Sequence, residues 1–274
     1  GAGSAGACTG LAIPPDGAHP DVMRIDDAGV HAVFDADQFA LWTSTAFRPD
    51  GALVATGFMG SGTATLSDSA GTWPLTPGDG FEAVDDGTLV VHQVGPGRAP
   101  DGGLGLSVDA TAVTADGTSV WVGYTVPEVL DDGEALPDGS YVLALAPDGT
   151  VSWARPLGHP AAHLLVSAGA RGVFVAGRTN EDLEVAPGVV VPGSGGNNGT
   201  GTGFLLQLDD AGDLQRASWL QGANPSAIAA GAERTLVLFG FSEPPPAIAS
   251  LGDLPQDASL IFDVDALPSV SVSP

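Results

Sequence analysis

The sequence predicts an all-β fold, a β-propeller or propeller-like array of four-stranded antiparallel blades, with about four to five units. Three observations predict it. A strand–turn–strand pattern recurs along the chain. The turn glycines Gly29, Gly87, Gly149 and Gly212 are spaced 58, 62 and 63 residues apart. No 3.6-residue apolar period lasts long enough to make a helix of useful length.

The elements follow in order. Residues 1–20 read as a small-residue leader, and residues 21–274 as one domain. The leading hairpin covers 21–35. One type of hairpin ends in a short apolar run with a glycine near its close: Ala52-Leu-Val-Ala-Thr-Gly-Phe58, Ser119-Val-Trp-Val-Gly-Tyr-Thr125, Gly172-Val-Phe-Val-Ala-Gly-Arg-Thr179 and Thr235-Leu-Val-Leu-Phe-Gly-Phe-Ser242. Each run follows a turn of polar or small residues, such as Arg48-Pro-Asp-Gly51 or Thr114-Ala-Asp-Gly117. The second type is Gly80-Phe-Glu-Ala-Val-Asp-Asp-Gly87 and onward, Ser140 to Trp153, and Gly203 to Trp219. Asp-Gly is a strong hairpin signal because glycine reaches positive φ at little cost. Between the two hairpins of a unit lie Gly/Pro-rich stretches, Ser61–Gly78, Pro127–Gly139 and Asn180–Gly203, expected to be loops.

The count is uneven. The second hairpin occurs five times if the leading hairpin and Leu260–Asp265 are included, and the first only four times. A five-unit ring with one unit incomplete fits this, and so does an open arc completed by a neighbouring chain, since an unpaired edge invites pairing.

The best-matched segment is Val173-Phe-Val-Ala-Gly177, then Phe204-Leu-Leu-Gln-Leu-Asp-Asp-Ala-Gly212, then Trp219-Leu-Gln-Gly222. It resembles the bacterial secreted beta-propeller repeat (SBBP-like) family, closely over residues 163–222 and more loosely over 21–265. The lysine of that family's second hairpin is replaced here by Gln207, and by Ala144 in the preceding unit. The resemblance implies a propeller fold and a secreted or surface setting. It implies no particular activity.

Composition excludes several function classes. There are 33 acidic and 8 basic residues, all eight of them Arg, for a net charge of −25. Nucleic-acid binding through a basic patch is excluded, because phosphate neutralisation needs many cations. Docking on an anionic membrane is disfavoured for the same reason. Hydrophobic residues at 43% are enough to supply a core, which argues against intrinsic disorder. Arg without Lys, beside abundant Ala, Gly, Val and Asp, suggests a high-GC, salt-tolerant bacterium. Cys8 is the only cysteine, so no intrachain disulfide forms. Its Ala7-Cys8 context resembles a lipobox end, but seven residues precede it and no apolar run leads into it.

Chemical motifs are sparse. His159 and His163 are four apart, but Pro160 interrupts a zinc helix and no Glu lies between. His19, His31 and His92 have no partner motif. Paired acids recur at turns, as Asp26-Asp27, Asp85-Asp86 and Asp209-Asp210. The best calcium candidates are Asp209, Asp210 and Asp213, with capping of the hairpin the preferred role. Asn198-Gly-Thr200 fits a glycosylation sequon, and sheet packing is the default for Trp121, Trp153 and Trp219. There is no nucleophile elbow and no phosphate loop. The expectation is a secreted or cell-surface structural or binding module. It would have no resident cofactor and would not be an enzyme on its own. Its partners would be protein or polysaccharide, or neighbouring chains joined through unpaired terminal strands. The alternative is a propeller-type polysaccharide hydrolase or lyase.

Overall fold

The computed structural model describes residues 22–26, 29–36, 40–59, 64–67, 71–95, 105–126, 128–129, 135–158, 161–194, 201–241, 258–267 and 269–271. Cys8, His19, His159 and the Asn198 sequon lie outside them.

A leading hairpin, β1 (Val22–Asp26) and β2 (Gly29–Ala36), opens the described chain. The first unit then runs β3 (Ala40–Phe47), β4 (Leu53–Met59), a small hairpin of β5 (Ala64–Ser67) and β6 (Thr72–Leu75), β7 (Gly80–Asp85) and β8 (Leu89–Val94). The second unit is β9 (Leu106–Val113), β10 (Ser119–Thr125), the hairpin β11 (Glu128–Val129) and β12 (Ala135–Leu136), β13 (Gly139–Leu145) and β14 (Val151–Gly158). The third is β15 (Ala162–Gly169), β16 (Gly172–Thr179), the hairpin β17 (Leu183–Ala186) and β18 (Val189–Val191), β19 (Thr202–Leu208) and β20 (Leu214–Gln221). The fourth has β21 (Ala223–Ala230), β22 (Thr235–Phe241) and β23 (Ala258–Asp263). A 3-10 turn, Val264–Ala266, leads to β24 (Ser269–Ser271).

The main sheets are antiparallel meanders in the orders β3-β4-β7-β8, β9-β10-β13-β14, β15-β16-β19-β20-β24 and β21-β22-β23. Successive units meet at their first strands, β3 with β9, β9 with β15 and β15 with β21. Their central strands are therefore apolar on both sides. All seven residues of β13 are buried, and Val120, Trp121 and Val122 are fully buried on β10. In the third unit Val173, Val175, Leu206 and Leu208 pack toward the second unit, while Phe174, Ala176 and Leu205 pack toward the fourth. A strand covered on both faces loses the apolar/polar alternation of a half-exposed strand.

Four sequence expectations need correction. The Gly/Pro-rich insertions are β-hairpins, because each places apolar side chains on the core: Leu66 and Leu75 in the first unit, Leu136 in the second, Leu183, Val185 and Val191 in the third. The leading hairpin is not a copy of the second hairpin type. It extends the first insertion through β2 and β5, with Asp35 opposite Ser67 and Ala36 opposite Leu66. Residues 258–265 supply one strand and then a turn, so the fifth copy is not a hairpin. The terminal strand β24, expected to lack a partner within the chain, pairs with β20 of the third unit. Among the described residues the sheets close into no barrel or ring.

The joints between units repeat. The Gly149 turn of the second unit sits on His92 of β8, where a Cβ would come within 2.4 Å of the ring. The Gly212 turn of the third sits on Trp153 of β14, whose Nε1 donates to the Asp210 carbonyl at 2.9 Å. Arg155 adds donations to the Gly212 and Val185 carbonyls at 2.9 and 2.7 Å. In the fourth unit the turn after β23 takes this place on Arg216 of β20. Arg216 donates to the Val264 and Leu267 carbonyls and, with Arg171, holds the Asp265 carboxylate.

Candidate functional site

All four first strands carry a bulge, beside Gly57, Gly123 and Gly177 of the second strands in the first three units and one residue pair beyond Gly240 in the fourth. On β3, Trp42 lies opposite Gly57 and Ser44 opposite Thr56, so Thr43 is the extra residue. On β9, Val108 and Ala110 flank an unpaired Asp109. On β15 the register slips between Ala162 and Leu165, around His163 and Leu164. On β21 it slips between Pro225 and Ala227, around Ser226. A bulge re-aims a side chain that regular pleating would place on a packed face, and bulges recur beside functional sites. Here the bulged residues converge. Thr43, Asp109, His163, Leu164, Leu165, Asn224, Pro225 and Ser226 line one open cavity of about 650 Å³.

The sequence carried a sign of this arrangement. In the first three units the glycine near the end of the second strand, Gly57, Gly123 and Gly177, lies beside the bulge, whereas Gly240 stands opposite Asn224, one pair away from it. At Gly123 a Cβ would stand 1.9 Å from the Ser107 carbonyl oxygen, and at Gly177 it would press on Phe204 and Leu164. At Gly123 and Gly177 the missing Cβ makes room for the distorted first strand.

The cavity combines a carboxylate, an imidazole, an amide and two hydroxyls. Thr43, Asp109, His163 and Ser226 are exposed to water. Asn224 Oδ1 is buried without a hydrogen-bond partner among the described residues. His163 has φ +56, the only positive φ at a non-glycine residue among the described ones. This costs about 1–2 kcal/mol relative to an ordinary conformation, and such strain clusters at binding and catalytic sites. Partial desolvation of its carboxyl among the neighbouring strands raises the Asp109 pKa above 3.8 although the side chain as a whole reaches water, and His163 pulls it the other way. The charged form of Asp109 is thus disfavoured in the folded state. Its contribution to stability is fully present below the unfolded pKa and lost as pH rises through the folded value. Asp109→Asn is therefore expected to raise the melting temperature at neutral pH, with the gain shrinking as pH falls toward 3.8. An Asn variant that melts lower at pH 7 would contradict this.

No family model matches the sequence, and neither does any curated protein. The reading of the site accordingly rests on its own geometry.

The calcium candidates lie elsewhere, in the turn between β19 and β20. Asp209 Oδ1 accepts from the Ala211 and Asp213 amides at 3.0 and 2.9 Å, and its Oδ2 from Gln215 at 2.7 Å. Both oxygens are engaged in holding the turn. Asp50, Asp85, Asp86, Asp116 and Asp148 accept from amides two residues on in the same manner. Donation from Thr114 to Asp116 and from Thr150 to Asp148 lowers both carboxyl pKa values. Among the described residues no group of three or more His, Cys, Asp or Glu could hold a metal. Raising sodium chloride is expected to stabilise the protein, as the Debye length shrinks from about 30 Å at 0.01 M to about 3 Å at 1 M. Calcium at matched ionic strength is expected to add little. A large melting shift with micromolar calcium but not with magnesium would make Asp209, Asp210 and Asp213 a site.

His92, which has no partner in the sequence pattern, belongs to a buried polar cluster. Glu82 on β7 is fully buried. It accepts from Arg48 at 3.2 Å and from the Trp121 indole at 3.3 Å, and lies 3.4 Å from His92 Nδ1. Glu82 stands five residues before its turn glycine, as do Ala144 and Gln207. Gln207 reaches the Arg171 carbonyl of the neighbouring turn at 2.9 Å. The cluster locks the first unit to the second, and none of its residues lines the cavity.

Proposed function

We propose that the chain is a secreted or cell-surface binding module. Its four units would be blades of a propeller-like array, and the seam of first strands would be its ligand site. The convergence of bulges from four first strands on one cavity carries this reading. Each unit offers a bulged side chain to the cavity, and the residues differ: Thr43, Asp109, His163 and Ser226. Fold maintenance alone would favour the same residue each time. A mixed set of donors and acceptors beside Leu164, Leu165 and Pro225 suits a hydroxyl-rich ligand such as a saccharide. The unpartnered Asn224 oxygen supplies an acceptor that such a ligand would satisfy. The module would need no resident cofactor and would serve as a subunit of a larger extracellular assembly.

The alternative, a polysaccharide hydrolase or lyase, draws on one observation, a carboxyl of raised pKa facing an imidazole. Calorimetric titration with neutral and acidic oligosaccharides separates the two. Saccharide binding is expected, weakened at least about tenfold, or about 1.4 kcal/mol, by His163→Ala or Asp109→Ala without loss of fold. Absence of binding across the panel would sink the ligand class. Turnover abolished by Asp109→Asn would sink the non-catalytic reading.

A further inference from the structure

The fourth sheet is one strand short. The first three units each carry an outer strand after the second hairpin turn, β8, β14 and β20. In the fourth unit the chain leaves β23 by a 3-10 turn and adds β24 to the third sheet instead. Among the described residues nothing pairs with the outer edge of β23. The sheet's far face is also open. Leu238 stands opposite Ile261 and Leu236 opposite Asp263. Ile261 is 68% and Leu236 40% exposed. In the first three units the corresponding face is covered by the next unit.

We propose that this edge is completed by the same edge of a second copy of the chain, the two β23 strands pairing antiparallel across a two-fold axis. Two observations favour a second copy. A two-fold pairing centred on Ile261 matches Ile261 with its copy on the exposed face, Leu260 with Phe262 and Ser259 with Asp263. Each apolar residue at the centre of the strand then meets another, and one surface supplies both partners, as isologous contacts require. Charge also favours this place. A chain of net −25 repels its copies nearly everywhere. At this end three of the eight arginines, Arg171, Arg216 and Arg234, stand among the described carboxylates Glu233, Asp263 and Asp265. Arg171 and Arg216 clasp Asp265, and Arg234 lies 3.9 Å from Asp263. The surface is locally close to neutral where the strand edge is free. Unpaired edges that are flat and apolar recruit strands unless a charge blocks them.

Sedimentation of the full chain over a range of concentrations, in about 0.15 M salt, tests the proposal. The expected result is a reversible monomer–dimer equilibrium with no larger species. Ile261→Lys is expected to raise the dissociation constant at least about tenfold, or about 1.4 kcal/mol. Arg234→Glu, at a side chain 77% exposed, should also raise it, with added salt restoring part of the loss. Val190→Lys, at another exposed apolar site, should leave it unchanged. Thermal melts of each variant separate misfolding from lost association, and Arg234→Glu carries the test if Ile261→Lys fails to fold. A chain monomeric at every concentration overturns the proposal and leaves the edge to a strand from another protein. So does an open-ended series of oligomers, or a dimer that neither Ile261→Lys nor Arg234→Glu weakens.

Discussion

Replacing Arg48 by methionine is expected to cost about 3–5 kcal/mol, because it leaves a fully buried carboxylate without its cation. Glu82 is fully buried, whereas the Arg48 side chain keeps 11% of its exposure. Among the described residues Arg48 is the only permanent cation touching Glu82. His92 and the Trp121 indole remain as partners, but neither carries a fixed positive charge. The loss should also weaken the joint between the first two units, since Arg48 reaches the Pro147 carbonyl at 3.5 Å. Chemical denaturation would read the effect as a drop in midpoint. The double replacement Arg48→Met with Glu82→Met should recover much of the loss, because an apolar pair of similar volume removes the desolvation cost along with the attraction. A single variant within about 1 kcal/mol of wild type, the scale of an exposed pair, would show that the cluster is hydrated and structurally idle.

Gly123→Ala is expected to be the most damaging single-methyl change, at about 4 kcal/mol or more, or to prevent folding. Its Cβ would fall 1.9 Å from the Ser107 carbonyl oxygen, 2.8 Å from the Ser107 carbonyl carbon and 3.0 Å from the Tyr141 hydroxyl. Two of these are backbone atoms, and Tyr141 is fixed by its own 2.7 Å donation to that same carbonyl oxygen. Relief would require undoing the Asp109 bulge, so ligand binding at the cavity should fail with stability. Gly51→Ala is the contrast. Gly51 has φ +91 but nothing within 4 Å of a built Cβ, so only backbone strain of about 1–2 kcal/mol applies. Equal losses at the two positions would mean that the close approach at Gly123 is not the constraint. A thermal-melt comparison decides between them.

Much of the architecture was legible because it follows from local chemistry repeated along the chain. Asp-Gly turns and runs such as Val173-Phe-Val-Ala-Gly177 specify hairpins through backbone preferences that act over a few residues. Their near-constant spacing gave the units. The acid turns were legible too, since an Asp carboxylate bonds amides two residues on whatever lies beyond. The insertions were misread. Gly and Pro suggest loops, yet Leu183, Val185 and Val191 alternate onto a core that another unit supplies. His92 was invisible because its partner Glu82 lies on the neighbouring strand and its other contact, the Gly149 turn, belongs to the next unit.

The sequence by itself determined the all-β class, the hairpin turns and the repeat. Each is decided by periodicity and by φ preferences carried within the segment. Only the tertiary structure decided the rest. It set which strand β24 joins, which sheet lacks a fourth strand, and that Thr43, Asp109, His163 and Ser226 share one cavity. These residues are about sixty positions apart from one unit to the next, and a register slip of one residue turns a side chain to the other face of its strand. Such a slip arises from pairing and packing between strands, and a single strand's sequence does not contain it.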